Sequence, residues 1–322
     1  MNIRDRKALK QAAVQHLQSA AYDPRKLALL HRGAIVALSL LISILSLALA
    51  DGIASTGGLS GIGTRNILQT AQFVLELGQL ILVPFWQIGI LFAFMCIVRN
   101  RYAGPNHLLR GFQRFFPALR LMLLQMTIFM IICFAAAYIS SFVTLLFSPK
   151  LMEQLEPIAM ELMQNPNMDP IPMIEQLSQE TLMSMAIPML IIFAVLYGII
   201  AGFLSLEMRF ANYFILDDPK MGAIMATICS FRLNHRNFWA MIRLDISFWF
   251  YYALQGLALG ISMLQLVIPG LNLPLPEQVT GLLIYVVYGA IVLAVDWCMR
   301  PKVEATYALA YDLLRAEKFP TN

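Results

Sequence analysis

The chain alternates between long apolar runs and short segments that collect its charges. Six runs approach the roughly 20 residues that a helix needs to cross a bilayer: 33–50, 73–98, 119–147, 185–206, 241–268 and 282–298. Open strands would leave backbone groups unsatisfied in lipid, so these runs predict helices. The expected fold is all-α, a polytopic membrane helix bundle of about six transmembrane helices. The first run starts well into the chain at Gly33 and is followed by others, so it reads as a span and not as a cleavable signal peptide.

Outside the spans the apolar positions recur at three and four. Residues 6–20 set Leu9, Ala13 and Leu17 on one face, with Lys10 and Gln11 off it. Residues 106–119 gather Leu108, Leu109, Phe112, Phe115, Phe116 and Leu119 opposite Arg110, Gln113 and Arg114. Asp218 and Pro219 predict a helix start, with an acceptor at the N-cap and proline in the first turn. Met221, Ile224, Met225, Ile228 and Phe231 follow as an apolar face suited to dock on the bundle. Val303, Tyr307, Ala310 and Leu314 form a similar stripe near the C-terminus. These segments are expected to be amphipathic interfacial helices. Segments flanked by spans two and three, and by spans four and five, resemble each other faintly, as an internal repeat would.

Loop charge gives the orientation. Arg4, Arg6, Lys7, Lys10, Arg25, Lys26 and Arg32 precede the first span. Arg99, Arg101, Arg110, Arg114 and Arg120 lie between spans two and three, and Arg209, Lys220, Arg232, Arg236 and Arg243 between spans four and five. Arg300, Lys302, Arg315 and Lys318 follow the last. Of the 23 Lys and Arg residues only Arg65 and Lys150 fall on the other side. The positive-inside rule then places both termini in the cytoplasm, with a bacterial cytoplasmic (inner) membrane as the expected location. The chain is expected to be a single membrane domain, 1–322. In it 1–32 is a cytoplasmic N-terminal amphipathic helix, and 33–147 holds spans one to three. Residues 148–184 are an extracytoplasmic insert, 185–298 hold spans four to six, and 299–322 are a cytoplasmic C-terminal helix.

Composition agrees. The chain is 59% hydrophobic and 13% charged, with a mean hydropathy of +0.69. That is about half the charged fraction of a soluble domain. A net charge of +4 without a basic stripe leaves nucleic acid out as a partner. The 148–184 insert is acidic and rich in methionine: Met152, Met160, Met163, Met168, Met173 and Met183. Clustered thioethers can take Cu(I). No His or Cys accompanies them here, and their helical spacing among Leu and Ile favours an amphipathic hairpin.

Catalytic chemistry is scarce. Cys96, Cys133, Cys229 and Cys298 stand singly, and His16, His31, His107 and His235 lie in four separate segments without metal-ligand spacing. No nucleophile elbow, P-loop or paired-Asp motif occurs. No cofactor, metal or catalytic residue is expected. Among the ionisable groups near spans, Glu76 falls at the outer interface. Asp296 and Arg300, four apart, read as a structural pair. Asp245, at the inner start of span five, is placed to pair with a basic residue of a neighbouring helix.

Residues 207–251, EMRFANYFILDDPKMGAIMATICSFRLNHRNFWAMIRLDISFWFY, resemble the central signature of a bacterial membrane-protein family, domain of unknown function 975. The matching positions are Asp217, Asp218 and Pro219 in the turn, then Ser230 and Arg232, then Asn237 and Trp239. The run Leu244, Asp245, Ile246, Ser247 and Phe248 follows. The tail matches at Pro301, Ala305, Thr306, Tyr311 and Leu314. Arg236 stands where the family has glycine. The resemblance implies six spans with defining cytoplasmic elements, and it brings no established activity. Asp218, Pro219, Trp239, Asp245, Ser247 and Pro301 are its structural motif residues.

The expected function is therefore non-enzymatic: binding a partner or anionic lipid through the cytoplasmic helices, with Arg232, His235, Arg236 and Asn237 as the binding groups. The alternative is a permease-like subunit working with a separate ATPase, and a lipid enzyme stands further off for want of a nucleophile. The implied partners are membrane lipids and, as protein partner, a second copy of the chain or an ATPase.

Overall fold

The computed structural model describes residues 3, 5–55, 62–147, 179–218, 220–263 and 277–319. Among them every element is helical. In chain order they are α1 (Arg6–Gln18), α2 (Pro24–Ser55), α3 (Ile62–Val98), a 3-10 turn (Pro105–Leu109), α4 (Arg110–Gln113) and α5 (Phe115–Phe147). After these come α6 (Gln179–Met208), α7 (Ala211–Asp217), α8 (Ala223–His235), α9 (Phe238–Ile246), α10 (Trp249–Met263) and α11 (Glu277–Lys318). The 148–184 insert lies outside the described residues up to position 178, as does Pro219.

Among the described residues five stretches are long and apolar enough to span a membrane: Pro24–Ser46, Asn66–Val98, Phe115–Leu146, Ala186–Asp217 and Leu283–Lys318. The chain is an all-α, multi-pass membrane protein. The span expected at 241–268 is interrupted by a turn at Ser247 and Phe248, and it continues as α10 to the limit of the described residues.

Contacts group the chain into two compact units, Met1–Met122 with Phe210–Asn322, and Leu123–Arg209. The second holds most of α5 and all of α6. Among its described residues the exposed side chains are largely apolar, with Ile131, Phe134, Tyr138, Leu190 and Ile199 exposed, and lipid is the solvent that suits them. Within it Ser141 Oγ donates to the Met189 sulfur (3.4 Å), and Phe193 stacks on Tyr197.

In the first unit the packed core sits at the basic ends of the spans. Almost every residue from Ile88 to Val98 is buried, together with Phe210–Leu216 and one face of α11. Two glycines permit this density. A Cβ on Gly89 would stand 1.8 Å from the Leu108 carbonyl oxygen, and one on Gly111 would stand 1.9 Å from that of Phe85. The 105–113 segment thus lies with its backbone against α3. This close approach breaks the single amphipathic helix expected over 106–119 into a 3-10 turn, one turn of α4 and the start of α5. Leu108 is buried by it, while Leu109 and Phe116 are left exposed. α3 ends at Val98 and is closed by Asn100, whose φ of 54° is left-handed, with Arg101 N–H returning to the Cys96 carbonyl (2.8 Å).

Three further boundaries depart from the sequence reading. Residues 1–32 are not one helix. α1 stops at Gln18, and α2 begins at Pro24, where proline is pre-set for a first helical turn. The C-terminal stripe is not a separate interfacial helix either: α11 runs unbroken through Pro301 for 42 residues, about 63 Å. That is twice a hydrocarbon thickness, so its last turns leave the bilayer. There Val303, Tyr307, Ala310 and Leu314 are buried in the core instead of lying on a membrane surface. Finally, Asp218 does not start a helix. It closes α7 and its Oδ1 accepts from Lys220 N–H (2.9 Å), while extended Gly222 caps α8.

Candidate anion-binding site

α8 is turned over relative to its expected orientation. Its buried face is Ala226, Thr227, Cys229, Ser230, Leu233 and Asn234. Of the stripe expected to dock on the bundle, Ile224, Met225 and Ile228 are exposed, while Met221 packs against the core and Phe231 is half-buried. Small and hydroxyl residues let helices approach closely where lipid removes the penalty for exposing large apolar groups. Ser230 also has a polar task, since its Oγ accepts from Phe210 N–H (3.1 Å). Burial holds the Cys229 thiol above its usual range.

α8 ends in a tight corner. Arg236 is its C-cap and Asn237 the N-cap of α9, with Asn237 N–H returning to the Asn234 carbonyl (2.8 Å). α1 is fastened beside this corner by Lys10. Its Nζ donates to the Ser247 carbonyl (2.8 Å) and lies 3.9 Å from the centre of the Phe248 ring. Burial and the nearby Arg6 hold Lys10 below the ordinary lysine range. The start of α1 is itself well made, because Asp5 Oδ1 accepts from the N–H groups of Lys7 and Ala8 (3.1 Å each).

The result is an open cleft of about 740 Å³ lined by Arg6, Arg236, Asn237, Trp239, Ala240 and Arg243. Of the four expected binding residues, Arg236 and Asn237 are brought together here. Arg232 and His235 are exposed on the last turn of α8 and do not line the cleft. Trp239, expected as a structural residue, is 71% exposed at the cleft. Arg6 and Arg243 were legible only as topological charge.

The other motif residues knit the first unit together. The Tyr307 hydroxyl donates to Asp245 and meets the Tyr252 hydroxyl at 2.7 Å. Asp245 therefore takes a hydroxyl from α11. Ser247 caps α9 with its Oγ on the Leu244 carbonyl (2.5 Å). Asp217 accepts both terminal nitrogens of Arg99 (2.6 and 3.0 Å) and also pairs with Arg315. Arg99 at the same time holds Asp312 (2.6 Å), and its hydrogen bonds to that carboxylate keep it protonated beyond the usual range. Pro301 is buried within α11.

A second polar network is enclosed between α2, α3, α10 and α11. The expected Asp296–Arg300 pair is present at 2.9 Å, and both residues are almost fully buried. Asp296 also takes Arg32 (3.3 Å), the Gln255 amide (2.7 Å) and the Tyr251 hydroxyl (3.2 Å). Arg300 reaches Glu304 (3.3 Å), the Gln87 carbonyl oxygen (2.9 Å) and His31 Nδ1 (3.1 Å). The two arginines offset the two carboxylates, so the network is neutral, as a structural lock between spans requires. The side chain of Glu76 lies outside the described residues.

Among the described residues no group of three or more His, Cys, Asp or Glu side chains is placed to hold a metal ion. No family model, curated protein or solved structure matches this chain.

Proposed function

We propose that the chain is a protein of a bacterial cytoplasmic membrane, both termini inside, that binds anionic lipid through α1, α8 and α9. Membership of the family known as domain of unknown function 975 is part of the same proposal and rests on the 207–251 signature. One observation carries the lipid reading. The exposed face of α8 pairs large apolar residues, Ile224, Met225 and Ile228, with Arg232, His235 and Arg236 at the helix end. A helix of that composition suits the boundary between acyl chains and headgroups, where each basic residue gains about 1 kcal/mol near an anionic surface. Positive-inside loop charge supports the orientation.

The test is lipid titration of the purified full chain by native mass spectrometry. Phosphatidylglycerol is expected to bind ahead of phosphatidylcholine, and Arg232→Gln with Arg236→Gln to erase that preference while leaving insertion intact. An unchanged preference in the double variant sinks the reading and leaves these arginines as topological anchors. Stoichiometric recovery of an ATPase instead of lipid replaces it with the permease-like alternative.

A further inference from the structure

We propose that the cleft lined by Arg6, Arg236, Arg243, Asn237 and Trp239 is a discrete site for one phosphate group, carried on a lipid headgroup or free in solution. The proposal rests on the reading of the basic side as an anion-binding face, and it makes that reading specific.

The arginines of the first unit divide into two kinds. Arg32, Arg99, Arg300 and Arg315 each meet a carboxylate. Among the described residues Arg6, Arg236 and Arg243 meet none, as is true of Arg25, Arg101, Arg114, Arg120 and Arg232, but these three line one cleft together. Cations gathered without counter-charge repel one another, and an anion placed among them relieves that repulsion. Guanidinium groups suit a phosphate in particular, because their planar forks match two of its oxygens at once.

The remaining lining fits the same guest. Asn237 brings a neutral amide donor, and its side chain makes no capping bond to α9. The first turn of α9 therefore opens on the cleft without a side-chain cap and adds partial positive charge. That helix end would say little alone; three unpaired guanidiniums around it give it meaning. Trp239 offers an apolar ring with one N–H donor at the rim, the combination that favours interfacial depth. The backbone around the cleft is held by the Lys10 and Asn237 contacts, so little ordering cost falls on binding. A cleft of about 740 Å³ lies within the range of small-ligand sites. Arg232 belongs to the same surface but not to this lining, which provides an internal control.

The experiment uses the full chain in a non-ionic detergent. Inorganic phosphate is titrated by calorimetry, and phosphatidic acid in mixed micelles by native mass spectrometry. One saturable equivalent is expected. Arg6→Gln and Arg243→Gln each weaken it about tenfold, as loss of a charge-assisted hydrogen bond implies. Arg243→Lys recovers part of the loss, and Arg232→Gln changes nothing. All three positions are exposed, so melting temperatures stay at the wild-type value. Phosphatidic acid binding far tighter than phosphate, and displaced by it, supports the site with lipid as the source. Equal affinities support it with a soluble source. Wild-type affinity in Arg6→Gln and Arg243→Gln overturns the proposal, as does an equal loss in Arg232→Gln. The wider lipid reading fails separately. If the basic side shows no preference for anionic lipid while Arg6→Gln and Arg243→Gln still lose phosphate, the cleft stands without it.

Discussion

Replacing Asp296 probes the enclosed network most sharply. The carboxylate is 1% exposed and is shared by Arg300, Arg32, Gln255 and Tyr251. Asp296→Leu removes the acceptor common to all four. Arg32 is 22% exposed and can turn to water, so its loss is small. Arg300 is too enclosed to do so, and it keeps Glu304 at 3.3 Å, Gln87 and His31. Breaking a buried pair from one side costs about 3–5 kcal/mol. The retained Glu304 places Asp296→Leu near the middle of that range, about 4 kcal/mol. Arg300→Leu leaves Asp296 with Arg32 and two neutral donors and costs about 3 kcal/mol. Asp296→Asn keeps the shape but turns an amide toward guanidinium donors, for about 2 kcal/mol. Arg32→Leu costs about 1 kcal/mol because its side chain, 22% exposed, already shares its charge with solvent. The assay is the apparent melting temperature of the full chain in detergent. At about 2–4 °C per kcal/mol, Asp296→Leu lowers it by on the order of 10 °C. Wild-type stability in Asp296→Leu, or an equal loss in Arg32→Leu, refutes the assignment of the network as a structural lock.

Further predictions concern packing and the motif. Gly89→Ala drives a methyl into the Leu108 carbonyl and is expected to abolish folded yield, whereas Gly256→Ala, with open space around it, purifies normally; equal yields on size-exclusion chromatography would contradict this. Ser230→Ala strands the buried Phe210 N–H and is expected to cost about 1–3 kcal/mol, read as a lower melting temperature. Tyr307→Phe removes the hydroxyl on half-buried Asp245 and is expected to cost about 1 kcal/mol, and Asp245→Leu more than Asp245→Asn. If both Asp245 variants melt as wild type, the residue is not structural.

Hydropathy was enough to find five of the six expected spans, because length and apolarity are local properties; the turn at Ser247 and Phe248 that interrupts 241–268 is not one of them. The Asp296–Arg300 pair was legible for the same reason, being an i,i+4 contact on one helix. His31, Gln87 and Gln255 were not, since they arrive from three other helices. The face of α8 was misjudged because periodicity marks an apolar stripe without saying what covers it. In lipid, Ala226 and Ser230 pack inward and Ile224 can remain outside. The break at 105–113 depends on Gly89 and Gly111 meeting carbonyls distant in sequence, which no local pattern announces. Arg236 and Asn237 stood out as polar residues beyond the needs of a linker. Arg6 and Arg243 joined them only once Lys10 had fixed α1 against Ser247 and Phe248.

The central claim is that α8 meets anionic lipid on the basic side. Its most direct test places a fluorophore at position 228, through Ile228→Cys in a chain lacking exposed native cysteines. The labelled protein is reconstituted in vesicles holding brominated phosphatidylglycerol or brominated phosphatidylcholine at equal bromine content. Quenching is predicted to be stronger with the brominated phosphatidylglycerol, and the excess to vanish at high salt as screening removes the attraction of Arg232 and Arg236. Quenching equal for the two lipids, or a label reached only by an aqueous quencher, contradicts the account.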